Sequence, residues 1–239
     1  LGAKVFRVPA DGELHEQIRL FRRALQRQLE GGGYDVVHFL DPFGGATIIE
    51  QAAEYGCRTV FDLCRFPSWE VRDRHPTLER DERMLKQLKA DEMTCARMAD
   101  AVLFTSKVTQ KYFVEQKIPR IKTHYLPGGV RMRAARALDE IRGAMKVVYI
   151  GDLAPWQGVG TLITAFAKLT ARRGAELTIV GPEDERWKTE LMETARRLKI
   201  ASKIRFEGPK MGEELDELIG TADVCVVPLA KSKRAIAGG

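Results

Sequence analysis

The feature that most constrains this chain is an alternation of short β-branched runs with longer stretches of helical periodicity. Runs of four to eight apolar residues separated by amphipathic segments of ten or more read as parallel strands joined by crossover helices. The predicted strands of the first half are AKVFRV (3–8), YDVVHFL (34–40), RTVFDL (58–63), AVLFT (101–105) and IKTHYL (121–126). Predicted helices lie between them at 13–30, 46–55, 78–98 and 107–116. The second half repeats the pattern with KVVYIG (146–151), ELTIVG (176–181), KIRFEG (203–208) and DVCVVPL (223–229), and with helices near 159–172, 187–198 and 212–220. The segment 131–143 is polar and strandless. It divides the chain into two expected Rossmann-like α/β domains, 1–135 and 144–239, and two separate cores suit 239 residues better than one nine-stranded sheet.

Composition narrows the partners only a little. The excess of 39 basic over 33 acidic residues, +6, forms no block of five or six like charges, so solvated helix faces account for it. Peripheral contact with an anionic membrane, or an acidic acceptor, is the competing reading, and no nucleic-acid partner is expected. Cys57, Cys64, Cys95 and Cys225 lack the short paired spacing of a zinc site or a redox motif, which points to reduced thiols in a cytoplasmic protein. No signal-peptide pattern and no apolar run of about 18 residues is present, so any membrane role is peripheral, at the inner face. The chain opens at Leu1, directly in an apolar run, and stops at Gly239 just past another. It is expected to be a piece lacking both ends.

In parallel sheets, ligands gather beyond the carboxyl ends of the strands, which makes residues 146–169 the most informative stretch. A strand ends at Gly151, a turn follows, and a helix opens near Gly158 with Leu162, Ile163, Phe166 and Leu169 at helical spacing. Glycine permits close backbone approach, and free amides at a helix start suit phosphate. A plain strand-to-helix turn would use the same glycines.

These residues resemble the GT-B glycosyltransferases, in particular the family-4-like retaining group. The resemblance is carried by Gly151, Gly158, the run Leu162-Ile163-Thr164-Ala165-Phe166, Val180-Gly181, Phe206-Glu207-Gly208, Ala222-Asp223-Val224 and Val227-Pro228, in that order. More loosely, the first half matches through YDVVHF, through Ala99-Asp100-Ala101 with Thr105-Ser106, and through Leu126-Pro127-Gly128-Gly129-Val130. The family implies two Rossmann-like domains closing on a nucleotide-diphosphate sugar, transfer with retention, no required metal and no further cofactor. It also implies a glycan, lipid-linked sugar or metabolite as acceptor, as in cell-envelope polysaccharide synthesis. No Asp-x-Asp pair follows any predicted strand, in keeping with that.

Carried over by position, the donor-binding candidates are Gly151, Asp152, Trp156, Gln157, Gly158, Gly181, Pro182, Lys210 and Pro228. Asp152 and Gln157 stand where much of the family places an Arg and a Lys on the diphosphate. Either Lys231, Lys233 and Arg234 supply the missing charge, or the site is weakened. The acceptor-side candidates are Phe43, Gly44, Arg65, Phe66, Trp69 and Ser106, with residues 66–78 read as a loop whose aromatic residues either wall the acceptor or pack on their own domain. His38, Asp41 and Asp62 are weak catalytic candidates. A structural His, and a salt bridge from Asp62 to Arg65 or another surface Arg, are the plainer readings. The family's His near the reacting sugar would fall at Cys64 or Arg65 and is absent, so no catalytic role carries over. A non-catalytic nucleotide-sugar-binding protein and a sugar-nucleotide epimerase remain as alternatives on the same fold.

Overall fold

The computed structural model describes residues 3–8, 12–64, 66–74, 81–129, 143–182 and 184–230. They fall into two compact units, one up to Gly129 and the other within 143–230. Each is a four-stranded, all-parallel sheet with helices as connections, so the fold is the doubly layered α/β type expected. The segment 131–143 lies almost wholly outside the described residues.

The first unit runs α1 (Leu14–Gly32), β1 (Val36–Phe39), α2 (Pro42–Ala52), β2 (Arg58–Leu63), α3 (Pro67–Arg74), α4 (Glu82–Met98), β3 (Ala101–Phe104), α5 (Lys107–Glu115) and β4 (Thr123–Tyr125). The strands lie in sequence order, β1-β2-β3-β4. Phe39 stacks on Phe61 at 4.9 Å, and Leu63, Cys95, Val102, Phe104, Phe113 and Ile118 complete the core around them. Polar side chains set the helix starts: Asp41 caps α2, Asp81 caps α4 and Ser106 caps α5. Each supplies an acceptor to a first-turn N–H that has no intrahelical partner. Asp100 ties two strands at their beginnings. It accepts from the Thr59 N–H at 2.8 Å, the Thr59 hydroxyl at 3.0 Å and the Arg58 guanidinium at 2.9 Å.

Two expectations fail in this unit. Residues 3–8 form no strand, and Val5 and Phe6 are 72% and 64% exposed. A β-rich run becomes a strand only when a neighbouring strand takes up its N–H and C=O groups, and none of the described residues does so. Residues 67–74, read as loop, are helical: Pro67 sits at the first position, where its missing N–H costs nothing, and Glu70 favours the first turn.

The second unit runs β5 (Met145–Ile150), α6 (Val159–Thr170), β6 (Ala175–Val180), α7 (Glu185–Arg197), β7 (Ile204–Phe206), α8 (Gly212–Thr221) and β8 (Val224–Val226). Its order is β7-β6-β5-β8. From β5 the chain steps outward through β6 to β7, then returns to pair β8 on the other side of β5, with Val147, Val148 and Tyr149 opposite Val224, Cys225 and Val226. Tyr149, Ile163, Phe166, Leu177 and Ile179 form the centre of the core, each 2% exposed or less. Of the central strands, β6 is buried at five of its six positions and β5 over Val147, Val148 and Tyr149.

Candidate functional site

The return of the chain from β7 to β8 makes the carboxyl end of β5 a topological switch point, where connections leave in opposite directions and open a crevice. The first sheet has no such reversal among its described strands. The second unit is therefore where the topological rule directs attention for a ligand site, and its strand ends are marked by glycines.

Gly151, Gly181 and Gly208 end three neighbouring strands and bond to one another's surroundings through backbone alone. The Gly151 N–H donates to Val180 O and the Gly181 N–H donates to Gly208 O, both at 2.9 Å. Gly181 has φ +154°, and a Cβ there would overlap the carbonyl oxygen of Gly151. Beyond β5, the phenol of Tyr149 donates to Asp152 O at 2.6 Å. That ring is 1% exposed, and burial, with the Asp152 charge adding, holds its pKa above the ordinary tyrosine value. The phenol thus stays a neutral donor and fixes the first residue of the turn.

The turn then tightens through a 3-10 segment, Pro155–Gln157, into Gly158, which is left-handed at φ +74° and opens α6. A Cβ at Gly158 would overlap Pro228 O, and the Ala230 N–H donates to Trp156 O at 2.9 Å. So the residues past β8 press directly on the turn past β5. Gly158 brings no side-chain cap to α6. Helix starts without a side-chain cap leave first-turn N–H groups able to donate to an anionic ligand.

Of the donor-side candidates, Gly151, Asp152, Trp156, Gln157, Gly158, Gly181, Pro182 and Pro228 lie at this edge. Asp152 is exposed and Gln157 half-buried. Lys210 follows β7, and its ammonium pairs with Glu207 at 3.4 Å and Glu214 at 4.0 Å, so its charge is engaged within its own segment. Lys231, Lys233 and Arg234 lie outside the described residues, directly after Ala230.

In the first unit, His38 Nε2 and Asp62 Oδ2 meet at 3.2 Å at the ends of β1 and β2. The partner of Asp62 is thus the neighbouring strand's histidine, while Arg65 lies outside the described residues. The Asp41 carboxylate is occupied in capping, accepting from the N–H groups of Phe43 at 2.8 Å and Gly44 at 3.3 Å.

Arg65 lies outside the described residues, and the other acceptor-side candidates make packing or capping contacts. Gly44 is where α1 touches α2: a Cβ would overlap Leu25 and crowd Phe21. Phe66 is 3% exposed, stacked on Trp69 at 4.4 Å and packed on Phe113 at 5.4 Å, so its ring is core and not a wall open to ligand. Ser106 is 8% exposed, and its hydroxyl oxygen accepts from the Val108 N–H. Phe43 packs against the small cluster of Val71, Leu85 and Leu88, and lines a groove of about 590 Å³ between α1, α2 and α4 together with His15, Arg22 and Arg83.

Sequence reasoning missed the Tyr149 to Asp152 bond. The signal was present, because a tyrosine within the apolar run Val147–Ile150 must find an acceptor for its hydroxyl. No group of three His, Cys, Asp or Glu side chains among the described residues is arranged to hold a metal. No helix among them is long and apolar enough to cross a membrane.

Comparison with known proteins bears on the family and the fold. Residues 1–129 match the glycosyl transferase 4-like domain and residues 144–237 match the glycosyl transferases group 1 domain. No curated protein matches the chain by sequence. Among solved structures, sucrose-phosphate synthase from Thermosynechococcus elongatus superposes with a TM-score of 0.72 at 18% identity, over 91% of this chain and 56% of that one. WaaG, a glycosyltransferase involved in lipopolysaccharide biosynthesis, gives 0.69 at 14% identity, over 97% and 63%. Anabaena HepE in complex with UDP and glucose gives 0.66 at 17% identity, over 90% and 57%. The chain thus spans somewhat more than half the length of each. With two parallel-sheet units and a family match over nearly its whole length, the chain belongs to the GT-B glycosyltransferases that join a 4-like first domain to a group 1 second domain.

Proposed function

We propose that the protein transfers a sugar from a nucleoside-diphosphate donor to a hydroxyl acceptor with retention of anomeric configuration. The bond from the sugar's anomeric carbon to the diphosphate breaks, a bond to the acceptor oxygen forms, the acceptor proton passes to the departing phosphate, and the nucleoside diphosphate leaves. The observation that supports this reading is the topological switch point at β5, where glycine-ended strands lead into a turn and α6 starts at Gly158 without a side-chain cap. Anabaena HepE, which shares the fold, has been seen with UDP-glucose. Catalysis on such a site comes from positioning and from stabilising the leaving diphosphate.

In this reading the second unit binds the donor and the first receives the acceptor, a glycan, a lipid-linked sugar or a metabolite of cell-envelope synthesis. A cytoplasmic location, with peripheral contact at an anionic membrane face, suits a lipid-linked acceptor. No cofactor beyond the nucleotide sugar is required. The test is incubation of the protein with a panel of nucleotide sugars and candidate acceptors, read by mass spectrometry and by the anomeric coupling of the product. A product heavier by one sugar with the donor's configuration supports the proposal, and inversion removes the retaining assignment.

One observation favours a second reading, a nucleotide-sugar-binding protein without turnover. Asp152 and Gln157 replace two cations, and Lys210 is already paired with glutamates. Charge-assisted bonds of this kind contribute roughly 1.5–3 kcal/mol each. Donor binding without product for any acceptor would select it.

A further inference from the structure

Glu92 is a buried carboxyl that neither the family motifs nor the donor site uses. It sits on α4 with 2% of its surface exposed, and both oxygens face Ser68 at the start of α3. The Ser68 N–H donates to Oε2 at 3.2 Å, and the Ser68 hydroxyl lies 3.0 Å from Oε1. First-turn N–H groups lack an intrahelical acceptor, so Glu92 caps α3 from a different helix. Ser68 is itself only 9% exposed. The contact is therefore dry, and it joins α4 to the segment that leaves the carboxyl end of β2.

We propose that Glu92 is a proton-operated latch on the first turn of α3, closed when its carboxyl is protonated and loosened when it is ionised. Protonated, the carboxyl donates its O–H to the Ser68 hydroxyl oxygen and accepts the Ser68 N–H, with no charge to bury. Ionised, it keeps acceptors only and holds a charge away from water, which costs free energy unless the turn opens to let water in. Burial pushes the carboxyl up from 4.5 to about 7, against the lowering effect of the Ser68 bonds and of Lys89, and with a small raising effect from Glu70. Those are the charged groups that face it among the described residues. Cys95, one turn along α4, stays a neutral thiol because burial pushes it up to about 12.

The direction follows from linkage. A docked carboxyl with a raised pKa stabilises the closed turn fully below 4.5 and loses that contribution as pH rises to about 7. Opening should then grow about tenfold per pH unit across that window and level off above it. The latch is a property of the first unit and is independent of the donor site. Its bearing on transfer, through Phe66 and Trp69 beside it, rests on the proposed function.

Hydrogen exchange on the full chain between pH 5 and 8, corrected for intrinsic rates, tests the latch at the amides of α3. The expected result is opening that increases about fortyfold from pH 5 to 7 and less than about twofold more by pH 8, with Glu92→Gln flat throughout and as well protected at pH 8 as the wild type at pH 5. The amides of α6 provide a reference that should not move. Wild-type α3 opening that is flat in pH, or a Glu92→Gln protein that keeps the slope, overturns the proposal. Should Glu92→Gln fail to fold, carbon-detected NMR titration of the wild-type Glu92 carboxyl decides. A midpoint near 7 supports the latch and one near 4.5 overturns it.

Discussion

Replacing Gly181 by alanine tests the packing of the switch point, because two separate costs converge on one methyl group. The first is conformational: Gly181 has φ +154°, a region in which a residue with a Cβ is strained by roughly 1–3 kcal/mol. The second is steric. The new Cβ would overlap the carbonyl oxygen of Gly151, which is backbone and cannot rotate aside. Relief means parting the ends of β5 and β6, at about 1–3 kcal/mol for overpacking, and weakening the 2.9 Å bonds from the Gly151 and Gly181 N–H groups. Together these give about 4 kcal/mol. Gly208→Ala is the matched reference. Its φ is +50° and nothing lies within 4 Å of the added Cβ, so it should lose only about 1 kcal/mol. Urea denaturation of both variants, followed by far-UV circular dichroism, gives the difference directly. Equal losses would refute the claim that the β5 and β6 turns are pressed together.

Four further outcomes follow from the same geometry. Tyr149→Phe removes the bond to Asp152 O, and should cost about 1 kcal/mol of stability while weakening nucleoside diphosphate binding several-fold by calorimetry. Gln157→Lys restores a cation at the turn and should tighten nucleoside diphosphate binding about tenfold, without changing affinity for the free nucleoside. Changing Lys231, Lys233 and Arg234 together to Ala should weaken diphosphate binding about tenfold, and unchanged affinity would mean that the phosphates are held elsewhere. The bonds from Thr59 and Arg58 hold the Asp100 carboxyl below its ordinary 3.8, so its contribution is present above that value and lost as pH falls below it. Asp100→Asn should therefore flatten the acid limb of the thermal stability curve.

Most of the second unit was legible in the sequence, because three of its four strands, β5, β6 and β7, run into a glycine and its helices have apolar stripes. Gly151 and Gly158 could be named in advance, since they stand at changes of period. Their partners could not. The overlap of Gly181 with Gly151, and of Gly158 with Pro228, depends on the β7-β6-β5-β8 order, which no local pattern encodes. The first unit was harder. Residues 3–8 have strand composition, yet a strand exists only with a neighbour, and periodicity cannot supply one. Phe66 and Trp69 looked like a surface wall because Pro67 and the charged residues after it read as loop. Phe66 turns inward because a short helix, capped by Glu92 from 24 residues away, folds the segment onto Phe113. A cap supplied from another helix leaves no mark in the local sequence.

The account turns on the second unit holding a nucleoside diphosphate at its switch point. Amide chemical-shift mapping of the isotopically labelled protein against UDP, ADP and GDP, with uridine, adenosine and guanosine as controls, tests this most directly. At least one diphosphate should shift the amides of Gly151, Gly158, Gly160 and Gly181 at micromolar to millimolar concentration, and its nucleoside should shift them far less. If every diphosphate leaves those four amides unmoved, or moves only residues of the first unit, the donor site is misplaced and the proposed function falls with it.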